Sequence, residues 1–283
     1  MITNLNGRAI YSPKGKAGEY AKCAVNFCVG CDNNCDYCYC KRGILGHAMG
    51  APSATLKKCF KDKADALETF RNEVQKNLMT LRKYGLFFSF STDPMLAEYR
   101  KLTIHAIDYA VSYNIPCKIL TKRADFIDDL PGYWLINIWY LKKIAFGFTL
   151  TGHDELEPNA STNAERVNAM NTLHAAGFHT FASIEPVIST QESLKMIIDA
   201  LYSCDLFLIG LLSGHKEYTP EQIIKFINDV NNTLAPCSDD PKVYYKDSVL
   251  QFLKFTRQDL TDHAKERGND FVLVDNDYNL FAL

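Results

Sequence analysis

The sequence predicts an α/β fold built on a parallel sheet, and three observations carry that prediction. Six short runs rich in β-branched and aromatic residues recur between residues 22 and 210. Amphipathic stretches of helical length separate them, which is the alternation that repeated β-α units require. Polar residues follow five consecutive runs, and the loops after the strands are where a parallel α/β fold collects its function.

The strand candidates are residues 22–27, 86–91, 117–121, 144–149, 179–184 and 206–210. Helical periodicity falls at 64–84, 101–113, 125–142 in broken form, 163–176 and 191–202. Several helix ends are legible, because Gly85, Asn114 and Gly177 follow three of these stretches and suit the left-handed backbone that closes a helix. Repetition at this period points to a partial (β/α)-type barrel over residues 1–215. After Gly210 the pattern loosens into a helix at 220–234, a stretch rich in Pro, Ser and Asp at 235–241, and an extra strand at 243–246. Residues 216–283 therefore read as a C-terminal extension, with 244–248 and 271–274 expected to close the open side of the barrel.

The chain has 283 residues and a net charge of -2, so nothing global pulls it toward nucleic acid. The local group Lys57, Lys58, Lys61 and Lys63 reads as a solvated approach to a helix. No apolar run approaches the ~18 residues of a membrane span; the best, Leu206-Phe207-Leu208-Ile209-Gly210-Leu211-Leu212, reads as a buried strand. Ten cysteines are too sparse for a disulfide scaffold, and the first eight residues lack the apolar core of a signal peptide. A reducing, cytoplasmic setting is expected. The dense aromatic patch from Tyr133 to Tyr140 is expected to be core.

The chemistry concentrates in Cys31-Asp32-Asn33-Asn34-Cys35-Asp36-Tyr37-Cys38-Tyr39, three cysteines spaced x3 then x2. Three thiolates on one tight loop suit a four-iron cluster whose fourth iron takes a ligand that is not protein. An open metal position implies catalysis, as it does for zinc. Cys28 and Cys40 lie close enough to complete a four-thiolate set, so a closed zinc or electron-transfer site, a non-catalytic module, stands as the alternative. The paired C-x2-C knuckles usual for zinc are absent. Cys23, Cys59, Cys117, Cys204 and Cys237 are scattered and read as structural.

With the flanks Asn26-Phe27-Cys28-Val29-Gly30-Cys31 and Asp36-Tyr37-Cys38-Tyr39-Cys40, this loop resembles the signature of the radical S-adenosylmethionine (SAM) enzymes, and within them the spore photoproduct lyase-like group. Thr92-Asp93-Pro94, Ile119-Leu120-Thr121-Lys122 and the run over 157–187 are similar to that group's shared motifs. The resemblance implies a three-quarter (β/α)6 barrel and a 4Fe-4S cluster on Cys31, Cys35 and Cys38. It also implies an external electron donor of flavodoxin or ferredoxin type. SAM would bind the open iron and be cleaved reductively to a 5'-deoxyadenosyl radical that abstracts hydrogen from an organic substrate, with nucleotides and nucleic acid among the candidates. By the same resemblance Tyr39, Thr92, Lys122 and Thr149 contact SAM. Lys122 offers a point charge for its carboxylate, the two threonines offer hydroxyls, Tyr39 an adenine contact, and Asp93 or Glu185 an acceptor for ribose or amino group.

One departure limits the comparison. The lyase carries a hydrogen-donating cysteine two residues before the position of Thr92, where this chain has Phe90. Membership of the group is implied and lyase activity is not. Sulfur insertion would call for a second compact cysteine group, which the sequence lacks. Arg166, on the helix over 163–176, reads as a solvated or salt-bridged surface group, ahead of an inward role holding Glu185 or a substrate acid.

Overall fold

The computed structural model describes residues 4–214, 218–235 and 242–266. The segment 271–274, expected to help close the barrel, and Cys237 lie outside the described residues. Ten strands are formed among them: β1 (Ile10–Tyr11), β2 (Ala24–Val25), β3 (Cys28–Val29), β4 (Thr55–Leu56), β5 (Leu86–Phe88), β6 (Cys117–Thr121), β7 (Ile144–Thr149), β8 (His179–Val187), β9 (Leu206–Leu211) and β10 (Lys242–Tyr245). The helices are α1 (Gly43–Met49), α2 (Lys63–Lys76), α3 (Leu78–Tyr84), α4 (Arg100–Ser112), α5 (Gly132–Ile136), α6 (Ile138–Leu141), α7 (Asn163–Ala175), α8 (Thr190–Ala200), α9 (Pro220–Leu234), α10 (Asp247–Leu253) and α11 (Arg257–Glu266).

Eight strands form one sheet in the order β1-β2-β5-β6-β7-β8-β9-β10, parallel throughout except for the β1–β2 pair. The fold is thus α/β with a mostly parallel central sheet. β7 and β9 are buried on both faces and read as continuous apolar runs, while β6 alternates buried Cys117, Ile119 and Thr121 with half-buried Lys118 and Leu120. One large apolar cluster lies between the sheet and the helices, with Cys117 and Ile119 of β6 pointing into it. A second, smaller cluster on the other face joins Ala24, Phe87, Ala145, Phe181, Leu206, Leu208 and Tyr244, all from strands.

Local chemistry sets the helix boundaries. Asp62 caps α2 and Ser189 caps α8, each accepting from a backbone amide of the first turn. Thr162 with Glu165 and Thr219 with Gln222 form capping boxes that start α7 and α9, and Pro220 adds its fixed φ at the first position of α9. Gly85, Asn114 and Gly177 all adopt positive φ after their helices.

Three expectations change, and one strand forms as expected. The helix over 64–84 is two helices, broken at Asn77, whose side chain bonds back to the Glu73 carbonyl. The first strand shrinks from 22–27 to Ala24–Val25, because Cys28–Val29 leaves the sheet to pair antiparallel with Thr55–Leu56. The strand expected at 243–246 forms as Lys242–Tyr245 and joins the main sheet, with Val243 in parallel register with Phe207. The aromatic patch is not core. Only Trp134 is fully buried, while Ile136 (85 %), Ile138 (62 %) and Trp139 (45 %) are exposed. Helices of five and four residues are too short to bury two sides, and the patch is tied down instead at Asp108, which accepts from Tyr133, Trp134 and Tyr140. No described helix is long and apolar enough to cross a membrane.

Candidate functional site

A cavity of about 460 Å³ opens at the C-terminal edge of the parallel strands. Thr92 and Asp93 reach it from the loop after β5, Lys122 from β6, Thr149 from β7, Ser183 and Glu185 from β8, and Lys246 from β10. Cys31, Cys35, Cys38 and Cys40 form its opposite wall.

The cysteine loop is shaped by its neighbours. Gly30 has φ +76°, and a side chain there would collide with the backbone carbonyls of Ala51 and Ser53. Its own carbonyl accepts from the Thr92 hydroxyl at 2.7 Å. Lys41 closes the turn on the Asn34 carbonyl at 2.9 Å. Burial pushes the Cys31 thiol up to about 12 and also raises Cys35. Cys38 moves the other way, to about 6, because the Cys40 thiol donates to it. Among the described residues, no three His, Cys, Asp or Glu side chains come together so as to hold a metal ion as they stand. Cys31, Cys35 and Cys38 supply the thiol donors that an iron-sulfur cluster takes, and all three line the cavity. Two buried polar atoms in the same wall, Asn33 Oδ1 and Ser91 Oγ, lack a protein partner, as expected where a polar ligand belongs.

The other candidates sort into distinct roles. Lys122 holds its ammonium 5.6 Å from the Tyr37 ring centroid. Burial opposes its charge, but Cys35 and Glu157 outweigh that and keep its pKa above the ordinary lysine value. Thr149 is buried at the cavity wall. Tyr39 is half exposed, and its hydroxyl donates to the Phe90 carbonyl. Phe90 lies stacked on Phe87, with ring centroids 4.4 Å apart.

Asp93, expected as a ligand acceptor, is held by four donors of the protein itself. Its Oδ2 accepts from Asn33 Nδ2 and the Lys122 amide, both at 2.7 Å, and its Oδ1 from Thr121 Oγ1 at 2.6 Å and the Met95 amide at 2.9 Å. With four donors satisfied, this carboxylate ties three loops together and has little left for a ligand.

Glu185 sits in a second polar centre. Its Oε2 accepts from Tyr20 and from Lys246 Nζ, each at 2.7 Å, and Tyr20 shares a 2.7 Å bond with Ser183. Lys246, 1 % exposed, has Glu19 as a second carboxylate partner at 3.5 Å. Burial and then the Glu185 charge push the Tyr20 hydroxyl well above its ordinary pKa. Gly210 makes room for this carboxylate, since a Cβ there would stand 2.7 Å from Glu185 Cδ.

Arg166 also departs from expectation. It is fully buried, paired with Glu157 rather than Glu185, and bonded to the carbonyls of Thr149 (2.7 Å) and Ser161 (2.8 Å). The sequence argument missed Tyr20, Asn33, Tyr37, Glu157 and Lys246. Lys246 alone carried a usable signal, a charged residue at the very end of a candidate strand.

No protein-family model matches the chain, and no curated protein matches it.

Proposed function

We propose that this chain is a radical SAM enzyme on a partial (β/α)6 barrel, acting on an organic substrate. The observation that carries the reading is that Cys31, Cys35 and Cys38 open from one loop onto the cavity that Lys122, Thr92 and Thr149 line, at the C-terminal edge of the strands. The barrel is supported by contacts between the two ends of the sheet: Lys246, directly after β10, holds its ammonium 4.3 Å from the ring centroid of Tyr20, which precedes β2, and Glu19 accepts from the Asp247 amide at 2.7 Å.

The three thiolates would hold a 4Fe-4S cluster, and SAM would bind in the cavity. When bound and reduced by an external flavodoxin- or ferredoxin-type donor, that pair supplies a 5'-deoxyadenosyl radical for hydrogen abstraction. The protein's part is to hold and exclude. Lys122 presents a fixed charge to a carboxylate, Thr149 lines the cavity, and Phe90 and Leu120 supply apolar surface around the reacting space. Phe90 has no transferable hydrogen comparable to a thiol's, which argues against lyase chemistry.

The test is anaerobic reconstitution with iron and sulfide, reduction with dithionite, and chromatography for 5'-deoxyadenosine. Its formation from SAM is expected; a fully loaded, reduced protein that leaves SAM intact would overturn the proposal. A variant sharpens it. Lys122→Met is expected to weaken SAM binding by about 30- to 4000-fold, since removing one partner of a buried charge pair costs about 2–5 kcal/mol. Equilibrium dialysis of loaded protein measures this, with iron content unchanged. A dissociation constant equal to the unsubstituted protein's would remove Lys122 from the SAM site.

A further inference from the structure

We propose that Glu157 and Arg166 are positioning residues for the cysteine loop, acting through Tyr37. Tyr37 stands between Cys35 and Cys38, and its hydroxyl donates to Glu157 Oε1. The other carboxylate oxygen takes Arg166 Nη2. Arg166 is anchored in turn on the Thr149 and Ser161 carbonyls, so the chain of bonds ends on strand β7 and on the cap region of α7. Neither Glu157 nor Arg166 lines the cavity, so neither can touch a ligand there.

The same segment grips the loop twice more. The Asp36 amide donates to the Leu156 carbonyl at 2.9 Å, and Asn159 Nδ2 donates to the Asp32 carbonyl at 2.9 Å. The loop is therefore held at Asp32, Asp36 and Tyr37, on both sides of Cys35. A buried ion pair is a poor source of net stability, because desolvation offsets most of the attraction. Its value here is directional. With Glu157 fixed by a planar guanidinium fork, the phenol has one acceptor in one place, and the backbone of residues 35–38 follows. The Tyr37 ring also carries Lys122 on its face, so the clamp orients the thiols and the cation together.

The inference rests on the cluster reading only for what the loop holds, and its test separates the two. Tyr37→Phe removes one oxygen, and Glu157→Gln keeps shape while removing the charge. In metal-free full-length protein, amide hydrogen exchange over residues 31–41 is expected to quicken about tenfold in either variant, the loss of one hydrogen bond to a charged group. In reconstituted protein, iron release to a chelator is expected to quicken by a similar factor. Phe178→Leu, a core change beneath α7, serves as a destabilised control and should move neither reading. Loop exchange at the unsubstituted rate, or an equal change in the control, overturns the clamp. If the unsubstituted protein takes up no iron while exchange behaves as expected, the cluster reading falls and the clamp stands.

Discussion

Alanine at Cys31, Cys35 or Cys38 is expected to abolish iron retention, while alanine at Cys28 or Cys40 leaves it near the unsubstituted level. The asymmetry comes from position. Cys28 belongs to β3, is buried in the cluster between sheet and helices, and does not line the cavity. Cys40 does line it, but it stands outside the x3, x2 spacing of the other three, two residues after Cys38. Losing any one of three loop thiolates leaves two, too few to hold a cluster against solvent and chelator, whereas a four-thiolate site would need Cys40 as much as the others. Iron and sulfide content after anaerobic desalting, with the visible absorbance of the oxidised cluster, measures the set. Loss of metal in Cys40→Ala would favour the closed, non-catalytic site; retention in any of the three loop variants would remove that cysteine from the ligand set.

Legibility in the sequence followed the physics of each element. The strands over 117–121 and 144–149 were readable to the residue, since the second is an apolar run buried on two faces and the first alternates buried Cys117, Ile119 and Thr121 with half-buried Lys118 and Leu120. The run over 22–27 was not, because β propensity is silent about which partner a strand takes, and here Cys28 and Val29 find Thr55 and Leu56. The cysteine loop and the polar strand ends were legible as candidates because spacing and position announce them. What converts candidates into roles is pairing across the chain. Nothing local to Asp93 shows that residues 33, 95, 121 and 122 all donate to it. Nothing local to Glu185 shows that a lysine 61 residues later completes its centre. The aromatic patch erred in the opposite direction, since composition suggested burial and short helices left its apolar side chains outside.

Arg166 was the hardest residue to read and carries the largest expected effect on stability. Arg166→Met is expected to cost about 3–5 kcal/mol, the usual cost of stripping one member from a buried ion pair. At about 2–4 °C per kcal/mol for a chain of this size, the melting temperature should fall by roughly 10 °C. Three acceptors lose their donor together: the Glu157 carboxylate and the carbonyls of Thr149 and Ser161. Lysine should not rescue the loss, because a single ammonium cannot point along all three directions of the guanidinium fork. The double variant Arg166→Met with Glu157→Met should recover part of it, since removing both charges also removes their desolvation. That partial recovery would separate the two things this pair does. Stability would return without the acceptor that Tyr37 needs, so the cysteine loop of the double variant should exchange as quickly as in Tyr37→Phe. A melting temperature within about 2 °C of the unsubstituted protein in Arg166→Met would show instead that water reaches the pair, and that its burial does not set the stability of this corner of the sheet.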